Sequence, residues 1–471
     1  MWNLRKYSNN VAAISEDNSE ISYKDLSDYS DILGNKVDSK SLVFCLCNNS
    51  VGSLIGYVSF LLNKNVQVLL DSRQNNDYLK ELINHYEPEF LWLPDNLFPT
   101  LNMGKTVYKA HGFVLLRINL CTKYELNNNL AILLPTSGTT GSSKMVMLSF
   151  VNLENNTKSI IKYLGISHDD KTITSLPMYY SYGLSVINTH LMAGGLIVFT
   201  EFSILQKQFW DKVNNYELTS LSGVPYTFEL LDKLKFFEMD LPKLKTLCQA
   251  GGRLTNDLQK KIAKKSFELG KYFFVMYGAT EASPRIAYLH YSMALDKIGS
   301  IGKVIPGGKI YLIDEDGKRI SSSGIVGEIV YYGLNVAMGY AENGMDLIKP
   351  DEWEGVLSTG DYAKMDIDGY LYIVGRKNRF IKLFGIRINL DEIEQRLNEK
   401  FNNEMACIGS DNKIDIFLSN ELISDEISIF LRQVWNFQPK YFQIHCIDAI
   451  PKSSVGKIDY SALKSIVGNI E

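Results

Sequence analysis

Between residues 42 and about 275, short apolar runs alternate with longer segments of helical period. "SLVFCLC" is followed by the helix-like "SVGSLIGYVSFLLN" and then by the strand-like "VQVLL". Further along come "LAILL", "TITSL", "LIVF", "LTSLSG", "LKTLCQA" and "YFFVMYG", separated by amphipathic stretches such as 255–268. Strand–helix alternation of this kind builds layered α/β structure with largely parallel sheets. From about 298 to 377 the texture changes. "KIYLID", "GEIVYYG" and "GYLYIVG" are short alternating runs broken by Gly and Asp, which predicts a β-rich subdomain with tight turns. After 378 it changes again: "NLDEIEQRLNEKF" reads as a capped helix, "KIDIFLS" as a strand and "DEISIFLRQVWNF" as a second helix. The expected architecture is therefore α/β. A large N-terminal lobe, 1–377, holds layered α/β subdomains to about 297 and then the β-rich subdomain. A small α+β domain follows at 378–471.

A chain of 471 residues is too long for one compact core, in keeping with two or three units. Its net charge is −4 with both signs spread along the chain, so a polyanion-binding surface, and nucleic acid as partner, are not expected. The six cysteines (45, 47, 121, 248, 407 and 446) sit mostly inside apolar runs and read as buried free thiols of a reducing compartment. The first residues, "MWNLRKYSNN", form no apolar signal core, and no window approaches the ~18 apolar residues of a membrane span. The expected localisation is cytoplasmic.

One stretch has nothing bulky to bury. "TSGTTGSSK" places eight consecutive Thr, Ser or Gly residues at 136–143 and a cation at Lys144, wedged between "LAILLP" and "MVMLS". Gly and hydroxyl residues hold neither helix nor strand well, so this is a loop. Glycines let backbone N–H groups converge on an anion, hydroxyls add uncharged donors, and Lys144 adds charge at the edge. A polyphosphate fits these features. The spacing, Gly138-x-x-Gly141-x-x-Lys144, differs from the common nucleotide loop GxxxxGK[ST].

The stretch resembles the phosphate loop of the adenylate-forming enzymes: acyl-CoA synthetases, peptide-synthetase adenylation domains and luciferases. Their pattern is [ST]SG[ST]TGxPK, and Ser143 stands here where Pro is usual. Further motifs of that superfamily follow in order. "VMYGATEAS" (275–283) resembles YGxTE, "STGDYAKMDIDGYLYIVGR" (358–376) resembles TGDxxxxDxxGxxxxxGR, and "IPKSSVGKIDY" (450–460) resembles LPxTxxGK. "LPMYYSYGLSVI" (176–187) is similar to LPxxHxxG with Tyr180 in place of His, and "CQAGGRL" (248–254) to SGGAPL with Arg253 in place of Pro.

The resemblance implies a set of roles. Thr136, Ser137, Gly138, Thr139, Thr140, Gly141 and Lys144 would hold the phosphates of ATP. Gly251, Gly252 and Arg253 would border adenine, as would Tyr277 with Gly278 and Ala279 beside it. Thr280 would bond the α-phosphate and Glu281 would hold Mg²⁺, a hard cation suited to carboxylate and phosphate oxygens. Asp361 would accept from the ribose hydroxyls, Arg376 would contact ribose or phosphate, and Lys457 would bridge the attacking carboxylate and the α-phosphate. Asp366, Asp368 and Gly369 read only as a hairpin turn. Tyr180, Tyr182, Gly183 and Tyr226, with Tyr179, would line the acyl pocket. Asn378 would be the hinge of a mobile small domain, Asn tolerating unusual backbone angles. Lys382 and Gly385 would serve the second half-reaction.

What the resemblance implies is a carboxylic acid activated by ATP with release of pyrophosphate, then transfer to a thiol of coenzyme A or of a carrier-protein phosphopantetheine. A single domain serving both steps needs a bistable arrangement. No acid stands in "PMYYSYGLSV" to pair with a substrate ammonium, so a non-amino acyl group is favoured, short or hydroxylated rather than long. Other readings stay open: an amino-acid-adenylating enzyme loading a carrier protein, an adenylating enzyme that passes its acyl group elsewhere, and a scaffold relative without catalysis.

Overall fold

The computed structural model describes the chain apart from residues 39, 102, 119–123, 136–143, 384–385, 411–412, 420–422, 436, 453–456 and 469–471. Two large sheets dominate it. Among the described residues the first has nine strands, with a parallel centre (Val11–Ile14, Leu196–Val198, Lys171–Ile173, Ser220–Gly223, Thr246–Gln249, Tyr272–Gly278). Antiparallel strands Glu20–Ser22 and Arg285–Leu289 flank that centre, and Lys303–Val304 forms the edge beyond Arg285–Leu289. The second has eight, built around parallel Leu42–Cys47, Val66–Asp71, Phe90–Pro94 and Leu130–Pro135. The apolar runs of the sequence are these strands, buried on both faces.

One core cluster joins the two sheets through the helices between them. It takes in Ala13 and Ile197 from one sheet, Val43 and Cys45 from the other, and Leu26, Leu54, Ile55 and Ile187 from the helices. The helix Val51–Leu62 shows why. Its sequence, VGSLIGYVSFLL, is apolar all round, so it can be stable only where every face is covered. Leu54, Ile55, Val58 and Phe60 are fully buried there, each contributing about 1.5–3 kcal/mol. Gly56 lets the helix lie against the Trp92 ring, and Trp92 Nε1 donates to Gly52 O at 2.9 Å. Tyr57 Oη donates to Asn188 Oδ1 at 2.9 Å and ties this helix to the neighbouring Ser181–Ala193. Outer helices cover the far faces: Asn76–Tyr86 on one sheet, and Lys207–Asn215, Pro225–Lys233 and Asn256–Glu268 on the other.

The β-rich segment forms a five-stranded antiparallel sheet in the order Arg319–Ile320, Lys309–Ile313, Val326–Tyr332, Val356–Met365, Leu371–Arg376. Its Asp366–Tyr370 turn matches expectation: Gly369 N donates to Asp366 O at 3.1 Å with Gly369 at φ +81°. Two pieces depart from the expected division. Lys303–Val304 ends the nine-stranded sheet, and Gly339–Ala341 pairs with Met145–Ser149 in the eight-stranded sheet. Backbone pairing across the lobe overrode the local change of texture.

Beyond Arg379 the hairpin Phe380–Leu383 with Ile386–Asn389 leads into helix Leu390–Phe401, capped by the Asn389 side chain. A three-stranded sheet (Met405–Gly409, Ile414–Leu418, Phe442–Cys446) packs against that helix and Ser424–Trp435, with Tyr460–Gly468 forming a smaller cluster with Ala406 and Phe417. Cys45, Cys47, Cys248 and Cys407 are buried thiols, as read from sequence, whereas Cys446 is exposed because it faces outward from an edge strand; Cys121 lies outside the described residues. Among the described residues, no helix is long and apolar enough to cross a membrane.

Candidate functional site

The Gly/Ser/Thr stretch joins the two strands of a hairpin, Leu130–Pro135 and Met145–Ser149, whose last cross-strand pair is Pro135 with Met145. Thr136, Ser137, Gly138, Thr139, Thr140 and Gly141 lie outside the described residues; Lys144 does not. Its ammonium stands 3.9 Å from the centroid of the Tyr340 ring. Tyr340 reaches this point because Gly339–Ala341 pairs with the hairpin, Tyr340 opposite Val146. The same tyrosine donates from Oη to Glu281 Oε1 at 3.0 Å, and Ala337 N donates to Glu281 O at 2.8 Å. The loop's cation and the carboxylate of the YGATE turn thus meet on one aromatic ring.

That turn is tightly held. A side chain on Gly278 would overlap the carbonyl of Pro284, so only glycine allows the strand Tyr272–Gly278 to double back into Arg285–Leu289. Ser283 sits at φ +64°, a conformation that costs a non-glycine residue about 1 kcal/mol or more. Asn335 Nδ2 donates to Ala282 O (2.6 Å) and Arg285 O (2.9 Å), Asn156 Nδ2 donates to the same two carbonyls, and Ser283 Oγ donates to Asn335 O. Within the turn, Thr280 Oγ1 lies 3.1 Å from Ser181 Oγ at the start of helix Ser181–Ala193.

Asp361 is buried and anchored from two sides. Tyr277 Oη donates to Oδ2, and Arg376 Nε donates to Oδ1 at 3.0 Å from the directly opposite position of the neighbouring strand. Burial pushes the Tyr277 hydroxyl far up, and the Asp361 charge pushes it further. A carboxylate has about four lone-pair sites, so two acceptors remain beyond these bonds.

Lys457 arrives from the C-terminal unit. Its ammonium is 5.6 Å from the Tyr180 ring centroid. Burial holds its pKa below the usual lysine range and the Arg376 charge adds to this, while Glu281 and Asp361 act in the opposite sense. Those causes place Lys457 in one electrostatic neighbourhood with three expected site residues that are far apart in sequence. Among the described residues there is no cluster of three or more metal-ligating side chains. The donor set suits Mg²⁺ nevertheless, since that ion is commonly held by one or two carboxylates plus substrate phosphates, and Glu281 presents one carboxylate beside a cationic loop edge.

The family model for AMP-binding enzymes matches residues 1–341. The chain belongs to the AMP-binding enzyme family. It is 30% identical over 414 residues to a long-chain-fatty-acid–CoA ligase of Yersinia pestis, covering 81% of this chain and 67% of that one. It is 28% identical over 361 residues to a probable 4-coumarate–CoA ligase of Dictyostelium discoideum (73% and 64% covered). Two solved structures share the fold. One is o-succinylbenzoate CoA synthetase of Bacillus subtilis in complex with an acyl-adenylate intermediate (TM-score 0.78, 20% identity, 98% and 97% covered). The other is ATP-bound MatB of Rhodopseudomonas palustris (TM-score 0.77, 21% identity, 99% of both chains covered).

In this AMP-binding enzyme the aromatic residues expected at the acyl pocket divide. Tyr180 lies at the site, with Gly251, at φ +86°, giving its hydroxyl room. Gly252 packs beside Pro225, and Arg253 is exposed. Tyr182 is 1% exposed, its Oη donates to Cys248 O at 2.7 Å and its ring lies under the Arg285 guanidinium, so its hydroxyl is not offered to a ligand. Gly183 packs against the Pro177 carbonyl, and Tyr179 Oη donates to Asp71 Oδ2 at 2.7 Å. Tyr226 departs from expectation: it is 41% exposed at the start of helix Pro225–Lys233, with the Lys452 ammonium 4.6 Å from its ring. It meets the C-terminal unit rather than closing an interior pocket. Lys382 lies on the strand Phe380–Leu383 opposite Arg387; its side chain, the side chain of Asn378, and Gly385 lie outside the described residues.

Sequence reading missed Tyr340, Ser181, Asn156 and Asn335, which carry no local signature, and also Arg379. The Arg379 guanidinium bonds Asp391 Oδ1 (2.6 Å), Glu394 Oε2 (2.8 Å) and Cys407 O, while Tyr460 Oη donates to Glu394 Oε1 at 2.9 Å. This network ties the 377–379 turn to the helix that follows the Lys457 loop.

Proposed function

We propose that this chain couples ATP to a carboxylic acid, forming an acyl-adenylate and pyrophosphate, and then passes the acyl group to the thiol of coenzyme A. Family membership supports the activation step. The CoA-ligase names of its relatives support coenzyme A rather than a carrier protein as acceptor. The observation that carries the reading is the approach of Lys457, from the C-terminal unit, to Tyr180 in the shared field of Glu281, Asp361 and Arg376.

The residues divide the work. The 136–144 loop would hold the β- and γ-phosphates, with Lys144 as its charged edge. Asp361 would take the ribose hydroxyls on its free lone pairs, with Tyr277 and Arg376 holding it in orientation. Thr280, steadied by Ser181, would donate to the α-phosphate. Lys457 would hold the attacking carboxylate against that phosphate and offset the negative charge that grows there, where electrostatic help acts on the rate. Mg²⁺, held by Glu281, would supply Lewis-acid stabilisation of the departing pyrophosphate. The unit beyond residue 377, turning at Asn378, would then withdraw Lys457 and admit the thiol beside Lys382 and Gly385.

The test is carboxylate-dependent pyrophosphate release. Lys457→Ala is expected to lose adenylation by at least about 100-fold, as for removal of a transition-state donor, while still forming thioester from supplied acyl-adenylate. Equal loss of both half-reactions would contradict the role given to Lys457.

A further inference from the structure

One face of the large lobe is basic and apolar at once. Residues 243–272 hold seven lysines and one arginine against two acids, in a chain whose net charge is −4. Helix Asn256–Glu268 carries four of these lysines and buries Ile262 and Ala263 on its inner side. On its outer side Phe267 is 77% exposed, and Leu269, just past the helix, is 50% exposed. Lys260 and Lys264 lie seven and three residues before Phe267, so the three share one stripe of the helix. Gly270 N donates to Phe267 O at 3.2 Å and Lys271 N to Ser266 O at 2.8 Å, which turns the chain directly into Tyr272. The exposed Tyr272 ring lies 4.4 Å from that of exposed Tyr291, and Tyr272 N donates to Lys245 O at 2.7 Å, bringing exposed Lys245 to the same edge.

Large apolar side chains exposed together and rimmed by charge mark a surface that meets a partner. Ion pairs within the chain occupy only some of the lysines. Lys261 meets Asp232 at 2.6 Å, Lys265 meets Glu268 at 3.1 Å, and Lys264 stands 4.0 Å from the same Glu268. Among the described residues, Lys243, Lys245 and Lys260 form no ion pair. A second copy of the chain fits poorly, because an isologous contact sets the patch against itself and brings lysines onto lysines. An anionic bilayer fits both properties. Lysine stems lie along apolar surface while their ammonium groups reach lipid phosphates, and Phe, Leu and Tyr side chains enter the interface. The strands Thr246–Gln249 and Tyr272–Gly278 start at this face and run in parallel toward Gly251 and the YGATE turn. About 20 Å of strand separates the two ends, so a surface docked here leaves the candidate site uncovered.

We infer that this face, centred on Phe267 with Lys260 and Lys264, docks on a membrane surface containing anionic phospholipid. The contact is peripheral: Phe267 and Leu269 enter the headgroup layer, the lysines hold phosphates, and the lobe stays outside the bilayer. None of the residues given to the adenylation chemistry takes part, so this inference and the proposed reaction stand or fall separately.

The experiment is sedimentation of the full chain with vesicles of phosphatidylcholine alone and with vesicles holding about one third phosphatidylglycerol, at low and high salt. Binding is expected only to the anionic vesicles, and to weaken as salt rises. Lys260→Gln and Lys264→Gln are each expected to lower the partition coefficient about fivefold. Phe267→Ser is expected to lower it about tenfold. All three side chains are exposed, and an unchanged Tm reports that each variant is folded. Equal binding to both kinds of vesicle, or binding to neither, overturns the inference without any variant. So does anionic-vesicle binding that the three substitutions leave unchanged. Retention on immobilised polyglutamate without vesicle binding overturns it and assigns the face to an acidic protein. Self-association abolished by Phe267→Ser, again without vesicle binding, overturns it in favour of a second copy of the chain.

Discussion

The two sides of the candidate site are held by different physics. The YGATE turn is fixed inside the large lobe by a glycine that no other residue can replace without overlap, two buried asparagines bonding the same carbonyls, and a serine in the left-handed region. Lys457, by contrast, meets the lobe through an ammonium resting near an aromatic ring, and Lys452 does the same at exposed Tyr226. A turn held by several buried hydrogen bonds leaves few alternatives, while a cation–π contact fixes no single geometry and contributes about 0.5–2 kcal/mol. One side is locked within its own lobe, and the other is made by contacts between two units of the chain. That asymmetry is what a protein needs if a single lysine is to serve the first half-reaction and vacate the site for the second.

The comparison can be broken most severely on its rigid side. Gly278→Ala forces the Pro284 carbonyl to move and is expected to cost ~3 kcal/mol, lower Tm and depress both half-reactions together. A variant with wild-type Tm would show that the turn is not locked. On the Lys457 side, raising pH should remove the ammonium charge at a pH below the ordinary lysine range. Adenylation then falls on an alkaline limb while thioester formation from acyl-adenylate does not share it. Arg376→Gln removes a repelling charge and should move that limb upward; a downward move would contradict the shared field. Tyr340→Phe keeps the ring under Lys144 but deletes the donor to Glu281, with an expected loss of about 1.5 kcal/mol, roughly tenfold, read best as weaker Mg²⁺ dependence. The smallest effect belongs to Tyr226→Ala: roughly twofold to fivefold on adenylation with Tm unchanged, as the loss of one exposed cation–π contact requires. A drop in Tm there would make the docking contact structural rather than transient.

Much of this was legible in the chain. The apolar runs marked the strands, "SVGSLIGYVSFLLN" marked a helix, and Gly278, Thr280, Glu281, Asp361, Arg376 and Lys457 could be picked out by residue type and order. Tyr340 could not. It reaches Glu281 because its short strand leaves the β-rich segment to pair with a hairpin almost two hundred residues earlier, and no local pattern encodes a partner that distant. Tyr182 and Tyr226 failed in a related way. An aromatic residue in the right motif can face a pocket, a core or solvent, and helix position rather than composition chose core for one and surface for the other.

The order of residues alone determined the layered α/β class, the position of the glycine-rich bend and the identity of the charged groups, because periodicity and backbone freedom are local properties. Only the tertiary structure decided which charges face one another, which tyrosines remain at the site, and that Arg285 is buried with no carboxylate partner among the described residues. Such facts depend on packing between segments distant in sequence, and burial changes what a charge costs far more than its neighbours in the chain do.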